Sequence, residues 1–158
     1  MSNQSKLWER ICNILIAVIG GIVGFGALYL ISRGLFLKVL HLGSFWFSIF
    51  WIYQILLNSI LEEGVKFLSL KGWKILHPYG FFLGLGWGGM EIFTHHLAKD
   101  AQLNIANTTS VLILHILTAG ILCYFIKKKR PILGLLITIT IHTGFNLLIV
   151  WLNIWSKS

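Results

Sequence analysis

The sequence predicts an all-α polytopic membrane protein, a single domain over residues 1–158 built as a bundle of about five transmembrane helices with a cytoplasmic N-terminus. Three observations carry this. The chain is 56% hydrophobic and only 11% charged, with a mean hydropathy of +0.81. Soluble domains carry about twice that charged share, so the excess apolar surface has to face lipid. Five apolar stretches approach or reach the roughly 20 residues needed to cross ~30 Å of hydrocarbon. Finally, the basic residues gather between those stretches, where loop cations of membrane proteins sit.

The spans run from Ile11 to Ile31, from Ser44 to about Lys66, from Tyr79 to Leu97, from Thr109 to Ile126 and from Ile132 to Trp155. The second has a helical pattern that continues to Leu70. The first is too long for the h-region of a signal peptide and lacks an A-x-A site, so it is expected to stay as an anchor. With the N-terminus inside, Lys6, Arg10, Lys66, Lys71, Lys74 and Lys127 to Arg130 fall on the cytoplasmic side, while Arg33, Lys38, Lys99 and Lys157 fall outside. That asymmetry sets the orientation. Trp8, Trp46, Trp73, Tyr79, Tyr124 and Trp155 lie near span ends, as an interfacial belt places them.

The net charge of +8 does not indicate nucleic acid, because the cations are dispersed among loops. Cys12 and Cys123 have no metal-ligand spacing and read as apolar residues in a reducing setting. Gly20/Gly24 in the first span and Gly80/Gly84/Gly88 in the third follow the small-xxx-small spacing that lets helices approach closely.

The chain has five acids: Glu9, Glu62, Glu63, Glu91 and Asp100. Three fall in or at the edge of spans. A carboxylate at the bilayer centre costs on the order of 2.5–3.5 kcal/mol, so an acid kept there is a functional-site hypothesis. Glu62 and Glu63 are adjacent and project about 100° apart, so they face different neighbours. Lys66 is spaced to pair with Glu62 along the helix. Glu91 has no Lys or Arg within helical reach, so its partner has to come from another helix, a metal ion or a proton. His115 lies in the fourth span; His142 and Asn146, four residues apart, share a face of the fifth. By span position, Glu62 and Glu63 fall toward the cytoplasmic end and His115 toward the outer third. His41, His77, His95 and His96 read as interfacial or solvated.

These residue types suit hydrolysis. A glutamate activates water as a general base, and a histidine or amide stabilises the oxyanion. Alternatively, Glu and His side chains hold a divalent metal such as zinc, for which Glu91, His115 and His142 are the candidate ligands. No Gly-x-Ser-x-Gly elbow, Cys/His signature or HExxH is present, and Asp100 is the sole aspartate.

The order Glu62-Glu63-x-x-Lys66, Trp87-x-x-x-Glu91, His115, His142-x-x-x-Asn146 resembles the CPBP superfamily of intramembrane proteases, which includes the type II CAAX prenyl endopeptidases, PrsW and YhfC. The EExxK and aromatic-xxx-Glu forms look most like PrsW, and the glycine-rich run before Glu91 looks like YhfC. The resemblance covers roughly residues 60 to 150. It implies that Glu62 or Glu63 is the base, that Glu91 and His115 fill the second and third motif positions, and that His142 and Asn146 help bind the oxyanion. The substrate implied is a membrane-associated protein or peptide, in a bacterial plasma membrane, with lipid as the other partner and an oligomer open. Two rivals use the same residues: a non-catalytic bacteriocin-immunity or scaffold protein, and a proton or cation transporter.

Overall fold

A computed structural model of the chain describes residues 3–36, 44–72, 78–97 and 105–155, and all of them are helical or form tight connections. Five helices follow in order: α1 (Asn3–Phe36), α2 (Ser44–Gly72), α3 (Gly80–Leu97), α4 (Ile105–Lys127) and α5 (Pro131–Trp155). Among the described residues, three stretches are long and apolar enough to cross a membrane: Gln4–Leu30, Thr108–Lys127 and Pro131–Leu152. The protein is an all-α integral membrane protein. α2 carries Glu62, Glu63, Lys66 and Lys71 and α3 is 18 residues long, so both depend on their neighbours.

The packing is inverted relative to a soluble bundle. Among the described residues, ten buried side chains are polar or charged against twelve apolar ones. Large apolar residues such as Val23, Leu30, Ile52, Leu68, Leu136 and Leu148 lie on the outside. The polar groups lie on helical stripes that face inward. Ser59, Glu63, Lys66 and Leu70 form one on α2, His115, Thr118 and Leu122 one on α4, and Thr138 and His142 one on α5. The apolar exterior has lipid as its natural contact, and the interior is where polar groups find partners.

Helices α1 and α2 extend past their apolar stretches, α1 starting at Asn3 and α2 ending at Gly72. This corrects the expected depths. Glu62 lies ten residues before the end of α2 and His115 twelve before the end of α4, about 15 Å and 18 Å along the axes. With parallel helices, the two residues meet at one level.

Helix α3 packs on α1 along one side and on α4 along the other, the two most extensive helix contacts among the described residues. Glycine is what permits both contacts. A Cβ at Gly84 would collide with the backbone carbonyl of His115, one at Gly80 with Cys123 Sγ, and one at Gly88 would come within 3.2 Å of the His115 ring. The Gly80/Gly84/Gly88 stripe is therefore the α3–α4 contact, as its spacing predicts. On the α1 side the expected Gly20/Gly24 pair is shifted by a residue. Gly20 makes only an ordinary contact, at 3.7 Å from Leu83, whereas Gly21 meets the α3 backbone and Gly24 the Trp87 ring.

α4 ends in a compact corner. Lys129 adopts a left-handed conformation (φ 57°), Lys129 N–H donates to the Ile126 carbonyl at 3.1 Å, and Arg130 N–H donates to that of Phe125 at 2.9 Å. This is a Schellman cap. Pro131 then starts α5 at the position where its missing N–H costs nothing. Cys12 and Cys123 are free thiols. His41, His77 and Asp100 lie outside the described residues, as do the side chains of His95 and His96.

Two outcomes follow, both read from thermal unfolding in detergent. Gly84→Ala destabilises by about 1–3 kcal/mol through forced separation of α3 and α4, while Gly89→Ala, where nothing lies within 4 Å, does not. Lys129→Gly stabilises by about 1 kcal/mol, since glycine adopts the left-handed cap without the penalty of a side chain.

Candidate active site

The inward stripes of α2, α4 and α5 and the glycine-rich face of α3 bring their ionisable groups into one cluster. Its hub is Lys66, fully buried. Lys66 Nζ lies 2.6 Å from Glu63 Oε1, 2.8 Å from His115 Nδ1 and 3.2 Å from Thr118 Oγ1. An ammonium has three hydrogens and no acceptor, so these three contacts use all of them. The expected Lys66–Glu62 pair is replaced by Lys66–Glu63, an i,i+3 pair, because Glu63 shares the buried face of α2 with Lys66 while Glu62 points toward α3.

Glu63 Oε1 also receives the His142 Nδ1–H at 2.8 Å. Neutral His142 therefore presents the lone pair of Nε2, which stands 3.8 Å from Glu62 Oε2. Glu62 Oε2 accepts the indole N–H of Trp87 at 3.0 Å. The indole is buried, edge-on to Phe25 at 5.9 Å between ring centroids, in the space that Gly24 leaves. Lys66 Nζ also lies 5.3 Å from the centre of the indole ring, a cation–π contact. His115, fully buried, is bonded at both ring nitrogens, Nδ1 by Lys66 and Nε2 by the carboxylate of Glu91. The partner that Glu91 needed from another helix is His115. The His115 and His142 rings stand edge to face, 5.1 Å apart.

Of the six residues expected at the site, Glu63, Glu91, His115 and His142 join one hydrogen-bonded cluster, and Glu62 borders it 3.8 Å from His142 Nε2. Asn146 is half-buried, one turn along α5 from His142, and no hydrogen bond ties it to the cluster among the described residues. Lys66, Trp87 and Thr118 also belong to the cluster; Lys66 and Trp87 stand in the quoted motifs without a role assigned at the site, and Thr118 stands in none. Trp87 carried a readable signal, since a buried indole N–H needs an acceptor. Thr118 carried none.

Ligand atoms of Glu62, His115 and His142 lie within 4.8 Å of one another, and this buried group could hold a metal ion. The ligand set differs from the expected Glu91, His115 and His142. Glu62 takes the place of Glu91, whose carboxylate is spent on His115. The same separation suits a water molecule: three atoms no more than 4.8 Å apart share a central point at most about 2.8 Å from each, within hydrogen-bond reach. Two buried oxygens beside the cluster, Glu63 Oε2 and Thr143 Oγ1, have no protein partner among the described residues. Such atoms are normally satisfied by water or a ligand.

Fold and site together define a small all-α membrane protein with an ionisable cluster inside its bundle. The chain matches no protein-family model, no curated protein and no solved structure.

Trp87→Phe keeps the packing on Phe25 and removes the donor to Glu62. It lowers stability by about 1–2 kcal/mol, measured as a shift in the unfolding midpoint in detergent.

Proposed function

We propose that the protein is an intramembrane endopeptidase of the CPBP kind, hydrolysing a peptide bond in a membrane-associated protein or peptide of a bacterial plasma membrane. The observation that carries this reading is the meeting of Glu62, His115 and His142 within 4.8 Å, on three helices, inside the bundle. Structural ion pairing does not need a carboxylate and an imidazole set 3.8 Å apart, too far to bond and near enough to share a water.

The two adjacent glutamates divide the work. Glu62, held by Trp87, is the general base. Glu63, held by Lys66, is the positioning residue that fixes His142 through Nδ1. A water between Glu62 and the Nε2 lone pair of His142 attacks the substrate carbonyl carbon and its proton passes to Glu62. Glu62 then returns that proton to the amine as the C–N bond breaks. Because His142 offers a lone pair and the Nε2–H of His115 is taken by Glu91, the hydrogen-bond donor for the oxyanion is the amide of Asn146. The low-dielectric surroundings strengthen each of these contacts. Lipid is the second partner, and the apolar exterior is its contact surface.

The test is cleavage of single-span peptides by the protein reconstituted in liposomes. Glu62→Gln lowers kcat/KM by about 10²–10⁴-fold, and Asn146→Ala by about 10²-fold. Glu63→Gln lowers it too, and Glu63→Asp restores part of it by returning a carboxylate to His142. Cleavage at the wild-type rate in Glu62→Gln overturns the assignment. Proton flux that depends on Glu91, without cleavage, assigns the cluster to transport.

A further inference from the structure

We infer that Lys66 is a positioning residue that makes His115 a proton donor and withholds its lone pair from any metal ion. The argument is a count of hydrogens. Lys66 Nζ touches three atoms, Glu63 Oε1, His115 Nδ1 and Thr118 Oγ1. The hydroxyl hydrogen of Thr118 is itself committed to the His115 carbonyl at 3.3 Å, so its oxygen is left to accept. Glu63 Oε1 is a carboxylate oxygen and already accepts from His142. Every hydrogen of the ammonium therefore points at an acceptor, and the lone pair of His115 Nδ1 is one of them. A neutral imidazole with its lone pair on Nδ1 carries its proton on Nε2. That Nε2–H is directed at the carboxylate of Glu91.

A metal-ligating histidine has the opposite arrangement: one nitrogen gives a lone pair to the metal and the other donates its N–H to a carboxylate or carbonyl. His142 meets that requirement, with Nδ1–H on Glu63 and Nε2 open toward Glu62. His115 does not, since neither of its nitrogens has a lone pair to give. Distance allows a metal among Glu62, His115 and His142, but the hydrogen pattern supplies two ligands of the three usual in a catalytic zinc site. One side chain, Lys66, thus decides between a proton-donating site and a metal-binding one. For the hydrolysis proposed above this means a glutamate reaction without a metal, and that consequence rests on the peptidase reading. The readouts below involve no substrate, so the two fail separately.

The experiment is a long-range proton–nitrogen correlation spectrum of the full protein in detergent micelles with ¹⁵N-labelled histidine, together with zinc titration by calorimetry. The expected spectrum has His115 protonated on Nε2 and His142 on Nδ1. In Lys66→Gln, the amide oxygen can accept from Nδ1–H, His115 turns its lone pair toward Glu62 and Glu91, and zinc binds about 10–100-fold more tightly than to wild type. Lys66→Arg, a donor like lysine, stays at the wild-type affinity. A wild-type His115 protonated on Nδ1 overturns the inference. So does zinc affinity that is equal in wild type and Lys66→Gln and lost in His115→Ala. If Lys66→Gln does not fold, the wild-type spectrum decides alone.

Discussion

The interior of this bundle depends on one buried ammonium. Lys66 joins α2 to α4 through His115 and Thr118, and through Glu63 it reaches His142 on α5. Three helices are thereby tied at one level by a single side chain. In lipid a lone buried charge is strongly disfavoured, and the same charge given three acceptors fixes the geometry of everything it touches. Lys66 constrains Glu63 and His115 directly and, through them, His142 and Glu91, while Glu62 is held by Trp87.

Around this hub the helices are arranged by what each side chain lacks. Trp87 needs an acceptor for its N–H and finds Glu62. Glu91 needs a partner and finds His115. Glycines at 80, 84 and 88 bring α4 close enough for that second contact, and Gly24 opens room for the indole. Backbone approach and polar pairing are therefore one design. The small residues set the distance at which the polar ones can meet.

Much of this was legible in the residues. The apolar stretches gave five helices, and the absence of any cation near Glu91 required a partner from elsewhere. The shared face of the Gly80 series gave the α3–α4 contact. What stayed hidden has physical reasons. Helices run on past the apolar stretches that define spans, so Glu62 and His115 looked displaced in depth until α2 was followed to Gly72. Two spacings, i+3 and i+4, both allow Lys66 a glutamate, and the choice of Glu63 is made by which face of α2 is buried. Thr118 is one of many threonines that a membrane helix tolerates, and only the neighbouring lysine gives it a task.

Helix α3 has a consequence for how the protein is made. Gly84, Gly86, Gly88 and Gly89 fall within 18 residues, each costing about 1 kcal/mol of helix propensity, and Glu91 follows them. Such a segment has little reason to remain in a bilayer by itself. Its carboxylate needs a hydrogen-bond donor and finds it in His115, which emerges from the ribosome only after α3. The polar pairing that favours α3 in lipid is therefore complete only once α4 has been made.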